Sequence, residues 1–192
     1  MNRVLLLLIA LTCSCSSLLP DRDQREPLED WINLEPSDRR WYSRILVALD
    51  EGNLSVVENE FVYRFLLLRT FDKPISVRIM CSNECHLRAV RSSGKSGYDP
   101  GQIEDEVSRS LSTIEKQNFL NLILEAEFWD GQPELEHWGL DGARWILEGK
   151  TMRNYQVWDV WSPLNIKQYQ GYVSLCKYML QLANFDLDGK IY

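Results

Sequence analysis

The apolar and polar positions of the chain fall into a few clear rhythms. From Glu60 to Phe71 the side chains are almost all β-branched, aromatic or Leu. Phe61, Tyr63, Phe65 and Leu67 alternate with Val62, Arg64, Leu66 and Leu68. Both faces of such a strand are largely apolar, which places it in the middle of a sheet rather than at its margin. Asp72-Lys73-Pro74 is a turn. Two further strands, Ile75 to Cys81 and Cys85 to Arg91, flank Ser82-Asn83-Glu84. A three-residue loop there pairs Cys81 with Cys85, Ile79 with Leu87 and Val77 with Ala89 on one apolar face. Arg78, Met80, His86, Arg88 and Val90 take the other, so loop length and hydrophobic pattern agree on one register. Ile103 to Arg109 is polar and weakly patterned, as suits an edge strand.

Helical spacing occurs in three places. Trp41, Ile45, Ala48 and Leu49 share a face of a helix from Arg39 to Glu51, capped by Ser37 or Asp38 and stopped at Gly52. Ser112-Thr-Ile-Glu115 is a capping box. It opens a helix that runs to Trp129 with Phe119, Leu122, Ile123 and Ala126 inward. Tyr169, Tyr172, Val173, Cys176, Met179, Leu180 and Ala183 form the stripe of a last helix, Ile166 to Ala183.

Between the last two helices lies a hairpin from Gly139 to Pro163, with three of the seven tryptophans. If Met152-Arg153 is a two-residue turn, Trp145 faces Val160 and Leu147 faces Trp158 on an apolar face. Arg144, Ile146 and Glu148 then oppose Trp161, Asp159 and Val157 on the other. A three-residue loop instead shifts one strand and moves Asp159 to the Trp145 face. Taken together, the rhythms predict an α+β domain: an antiparallel sheet of five to six strands with two or three helices packed on one face.

Composition narrows the class. The 192 residues are 45% hydrophobic and 26% charged, a globular balance. A net charge of −7 disfavours general nucleic-acid binding, which needs Lys and Arg to replace counterions. It equally disfavours a broad basic face for anionic lipid.

The N-terminus sets an address. Met1-Asn-Arg3 is a short basic start, Val4 to Leu11 is apolar, and Thr12-Cys-Ser-Cys-Ser-Ser follows. This is the layout of a signal peptide, too short for a transmembrane helix. A cysteine just past the apolar run resembles a bacterial lipoprotein signal, in which that cysteine becomes the lipid-bearing first mature residue. Cys15, with Ser14 before it, fits better than Cys13, although Thr12 departs from the usual Leu; secretion with cleavage nearby and an uncleaved anchor are the alternatives. The layout divides the chain into a signal peptide at 1–14, a charged, proline-containing tether at 15–36, to which Trp31 and Ile32 add docking groups, and one domain at 37–192. Ser16 after Cys15 lacks the Asp of inner-membrane retention, so by the same resemblance the expected site is the periplasmic side of the envelope, anchored in the outer membrane.

Candidate chemistry is sparse. Cys81 and Cys85 could bind metal, form a redox pair, close a structural disulfide or stay reduced. Only His86 and His137 could join them on a metal, and the spacing is not C-x-x-C, so an oxidising compartment favours the disulfide. Gly94-Lys95-Ser96 lacks the first glycine of a phosphate loop, since position 89 is Ala, and no strong helix begins there. No metal or cofactor is expected. Asp141-Gly142, Trp145, Ile146-Leu-Glu-Gly149, Tyr155, Asp159 and Trp161-Ser-Pro163, with Arg69-Thr-Phe71, Pro74, Gly97-Tyr98 and Pro100-Gly101, resemble a recurrent pattern in an uncharacterised bacterial putative-lipoprotein family. The resemblance covers residues 60 to 183 and implies a fold but no activity; here Met152-Arg153 stands where the pattern has Asn-Gly or Asp-Gly.

Three functions follow as expectations. The first is a non-catalytic, lipid-anchored envelope protein with an envelope protein partner. The second is an envelope enzyme or small-ligand-binding domain using Arg144, Glu148 and Asp159 beside Trp161, with the two carboxylates paired for acid–base work or for holding a cation. The bland reading of that cluster is a salt-bridged, solvated sheet face with Arg144 over Trp161. The third is an inhibitor that binds through an exposed edge at Ile103–Arg109.

Overall fold

The computed structural model describes residues 36–57, 61–96, 98–131, 139, 141–187 and 191–192; the expected signal peptide, Cys15, the tether up to residue 35 and His137 lie outside them, while Pro36, the last residue assigned to the tether, opens the first helix. Six strands form one antiparallel sheet: β1 (Phe61–Arg69), β2 (Ile75–Cys81), β3 (Cys85–Ser92), β4 (Ile103–Ser110), β5 (Ala143–Lys150) and β6 (Tyr155–Trp161). Their order across the sheet is β4-β3-β2-β1-β5-β6. The first four make a meander. The chain then passes through α2 (Thr113–Glu125), adds β5 to the free side of β1, turns into β6 and ends in α3 (Gln170–Ala183). β1 is therefore central, as its two apolar faces require, and the charged β4 is an edge.

The β2–β3 register follows from the pattern. Cys81 pairs with Cys85, Ile79 with Leu87 and Val77 with Ala89. In the second hairpin Trp145 pairs with Val160 and Leu147 with Trp158, the register of a two-residue turn. That turn closes without a left-handed residue at Met152 or Arg153. Thr151 makes this possible. Its amide donates to the Asn154 carbonyl at 2.8 Å, and its Oγ1 accepts from the Asn154 amide at 3.0 Å, standing in for a backbone carbonyl.

Phe65, Val77, Leu87, Trp145, Leu147 and Trp158 pack on one face against Phe119 and Ile123 of α2 and Tyr172, Cys176 and Met179 of α3. The expectation of helices on a single face is corrected by α1 (Pro36–Ala48), which covers the other. Tyr42, Ile45, Leu46 and Leu49 meet Leu66, Leu68, Val90 and Ile146 there. Tyr42 and Leu46 extend the expected stripe, while Trp41 and Ala48 are only half-buried.

Helix ends explain the remaining differences. α1 stops before Gly52 because Asp50 turns left-handed at φ 54°. The Asp50 amide then bonds to Val47 and the Glu51 amide to Leu46, a Schellman closure that aims Glu51 back at the sheet. α2 likewise ends early, at a left-handed Glu127, and the same closure drives Phe128 fully into the core. Its capping box is formed: Ser112 Oγ accepts from the Glu115 amide, and Glu115 accepts from the Ser112 amide. Residues 163–165 and 167–169 are short 3-10 turns that delay α3 to Gln170.

Candidate functional site

One row of side chains crosses the sheet beneath α1. Glu148 of β5 sits beside Arg64 of β1, Arg64 beside Arg78 of β2, and Arg78 beside Arg88 of β3. Three neighbouring guanidinium groups repel one another unless anions intervene. Two do so. Arg64 Nε donates to Glu148 Oε2 at 2.6 Å, and its Nη2 pairs with the same oxygen. Glu51, arriving from the end of α1, lies among all three arginines. Its Oε2 is 3.5 Å from Arg64 and 3.3 Å from Arg78, and its Oε1 is 3.1 Å from Arg88. Arg64 Nη1 also donates to the Gly52 carbonyl at 2.6 Å. Arg64 and Glu148 are wholly buried, and Glu51 is 2% exposed.

The expected cluster therefore exists but not as expected. Glu148 belongs to the arginine row, and its Oε1 accepts from the Tyr155 hydroxyl at 2.9 Å. Asp159 is on the same face, 8% exposed, accepting from the Tyr42 hydroxyl at 2.5 Å and lying 3.6 Å from Arg144. Arg144 stacks over Trp41 and Tyr42, with 5.9 and 5.2 Å to the ring centres, rather than over Trp161. The face is not the flat, solvated surface of the bland reading, because the tyrosine and tryptophan of α1 close it.

Burial pushes the Glu148 carboxyl up, against the pull of Arg64 and Tyr155. Burial alone would lower Arg64, but Glu148 and Glu51 together hold its guanidinium above its ordinary value, so it stays charged. A raised carboxyl is a mark of acid–base catalysis only where a substrate can reach it. Here both oxygens are bonded to protein and shut from water. What the arrangement can do is hold α1 in one position.

Trp161 has a different task. A Cβ on Gly139 would lie 2.6 Å from its Nε1, and one on Gly142 would lie 2.8 Å from its ring and 2.4 Å from Ser162 Oγ. The indole thus packs directly on backbone that only glycine leaves open. Thr70 and Gly142 exchange bonds, with the Thr70 amide donating to the Gly142 carbonyl at 3.0 Å, and Ser162 Oγ accepts from the Ala143 amide at 3.1 Å. The Arg-Thr-Phe, Asp-Gly and Trp-Ser-Pro segments meet in this knot at one end of β1, β5 and β6.

On the same end of the sheet, toward β3, is a recess of about 210 Å³. Arg69, Lys73, Arg91 and Lys95 line it with Phe71 and Asp72. Sequence reasoning weighed Lys95 only within a phosphate-loop motif, which it rejected, and did not group it with Arg69, Lys73 and Arg91, because the four sit on two separate stretches of the chain. It also passed over Arg64 and Glu51, although an arginine inside an apolar central strand was itself a signal that carboxylates must meet it.

The two hairpin cysteines are bonded, with Cα atoms 4.1 Å apart. Cys176 is buried, and burial raises its thiol well above the ordinary value. His86 is exposed with Nδ1 3.1 Å from Ser110 Oγ. Among the described residues no three acidic, His or Cys side chains are grouped to hold a metal, and no helix is long and apolar enough to cross a membrane. No family model matches the chain, and no curated protein matches it.

Proposed function

We propose that the chain is a lipid-anchored protein of the bacterial cell envelope, held through Cys15, with a non-catalytic binding or structural role. The observation that carries the non-catalytic part is the closure of the Arg144, Glu148 and Asp159 cluster under α1. Glu148 spends both oxygens on Arg64 and Tyr155, and Asp159 accepts from Tyr42. A general acid or base must come within hydrogen-bond reach of a substrate proton. Under the helix these carboxylates serve as anchors for it. The address rests on the N-terminal layout and on its resemblance to lipoprotein signals. The acidic net charge fits a protein partner in the envelope better than nucleic acid.

Two experiments test the two halves. Metabolic labelling with palmitate marks the wild-type chain, and Cys15→Ser loses the label; an unlabelled wild type contradicts the anchor. Cross-linking in intact envelopes recovers a specific protein partner, and Glu148→Gln with the fold retained leaves that capture unchanged. Turnover of a small molecule that disappears in a folded Glu148→Gln chain would instead favour the enzyme reading, which needs α1 to lift from the sheet.

A further inference from the structure

We infer that the recess at the end of β1 and β3 is a binding site for a phosphoryl group carrying a phosphate monoester or diester. The inference needs neither the lipid anchor nor the closed cluster under α1.

Arg69 ends β1, Lys73 lies in the turn to β2, Arg91 is near the end of β3, and Lys95 is in the loop that follows. Four cations from two stretches, 69–73 and 91–95, line one small space, Arg69 itself being buried, in a chain whose net charge is −7. At about 210 Å³ the space is smaller than the several hundred Å³ usual for an organic ligand, and suits a single head group. Charges approaching from different sides match a tetrahedral oxyanion better than a planar carboxylate, which a single arginine fork satisfies.

The wall that carries Lys95 is built in advance. The Ser96 amide and hydroxyl both donate to the Asp72 carbonyl, each at 3.1 Å, which staples the loop to the β1–β2 turn. The Lys95 amide donates to the Asp99 carbonyl at 2.7 Å, and a Cβ on Gly94 would fall 2.1 Å from that same oxygen. Such close backbone approach fixes the loop before any ligand arrives.

The cations then divide the work. Arg91 is held by Asp105 at 2.8 and 2.5 Å and by the Asp186 carbonyl at 2.6 Å, so it shapes the wall rather than offering a free donor. Lys73 is paired with Glu104 at 2.6 Å but is 34% exposed and able to swing inward. Lys95 is exposed and has no ion-pair partner among the described residues, so it makes the direct contact. Phe71, 54% exposed at the rim, offers an apolar shelf to whatever the phosphoryl group esterifies. Asp72 opposes the anion. Its carboxylate is on the lining, 3.8 Å from Arg69 Nε, and gives the inference its sharpest sign.

The test is an amide-shift titration of the full-length chain in detergent, using inorganic phosphate, glycerophosphoglycerol as the soluble form of a lipid head group, and acetate at matched ionic strength. The amides of Asp72 and Ser93 to Ser96 shift saturably with a dissociation constant on the order of 1 mM. Response to free phosphate alone points to a terminal phosphate, as a monoester carries, and response to the diester points to a lipid head group; either supports the site. Lys95→Gln, at an exposed position, weakens binding about tenfold, the loss of one charge-assisted contact. Asp72→Asn keeps the stapling carbonyl and tightens binding severalfold, which a purely structural role for Asp72 does not produce. The absence of a saturable shift up to about 10 mM, an equal response to acetate, or weaker binding by folded Asp72→Asn overturns the inference.

Discussion

Toward α2 and α3, β1 presents Tyr63, Phe65 and Leu67, which pack into a large cluster of apolar and aromatic side chains. Toward α1 the same strand presents Leu66 and Leu68 but also Arg64, and there a small apolar cluster shares the face with an ion network. The first face gains its stability from area removed from water, which is tolerant of which apolar group does the filling. The second gains position. Glu51 fits among Arg64, Arg78 and Arg88 in one placement of α1, whereas Ile45 and Leu49 alone could slide on Leu66 and Ile146. Buried ion pairs contribute little net stability over a well-packed apolar substitute, but breaking one is expensive. The apolar face makes the domain stable, and the charged face makes the placement of α1 specific.

The largest effect should come from leaving a buried charge alone. Arg64→Met costs about 3–5 kcal/mol by urea unfolding, because Glu148 and Glu51 lose their shared partner. Phe65→Ala on the other face costs a similar amount through a cavity. The two are separated by a second substitution. Adding Glu148→Met to Arg64→Met recovers much of the loss, and a double-mutant cycle shows coupling well above that of distant sites. Additive losses would break the comparison.

Conservative exchanges sharpen it at smaller size. Met179→Leu, within the apolar core, costs less than about 1.5 kcal/mol. Arg64→Lys keeps the charge yet costs more than that exchange, since an ammonium cannot make the forked contacts to Glu148 and Gly52. Equal midpoints for the two variants would deny that geometry matters on the α1 face. Gly142→Ala, by contrast, tests the knot around Trp161. A Cβ there costs about 1–3 kcal/mol by overpacking, and a near-neutral result would mean that the indole moves freely aside.

The smallest effect belongs to a half-buried ion pair at the rim of the α2–α3 face. Arg109 and the Ser112 amide hold the Glu115 carboxyl at about 2, below its ordinary 4.5. A depressed carboxyl adds stability above the unfolded value and loses it as pH falls through the folded one. The difference in urea midpoint between wild type and Glu115→Gln should therefore shrink between pH 4.5 and 2. A difference that is constant over that window contradicts the assignment.

Much of this architecture could be read from the chain. The β2–β3 register followed from the three residues between Cys81 and Cys85, whereas the β5–β6 register stayed open between a two-residue and a three-residue loop until the Thr151–Asn154 closure decided it. The first is a local fact, and period two leaves little freedom once one face is apolar. The α1 face was legible only in part. Arg64 in an apolar run announced a need for carboxylates, but the two that answer lie 13 residues before it and 84 after it. Nothing local specifies which acids those are. Asp159 and Glu148 share a face only in the two-residue register, one of the two the chain left open, and the cover over them comes from Tyr42 on α1, 117 residues away from Asp159. The recess was illegible for the same reason: its cations gather only after β1 and β3 are laid in one sheet.

Native-state hydrogen exchange on Glu51→Gln tests the central claim most directly. The substitution keeps the shape and removes the anion from the three arginines. The account predicts that the amides of α1 lose protection selectively, while those of β1, β5 and α3 keep nearly all of theirs. An equal loss of protection throughout the sheet, or unchanged protection in α1, would contradict the reading of Glu51 as the charge that fixes the helix.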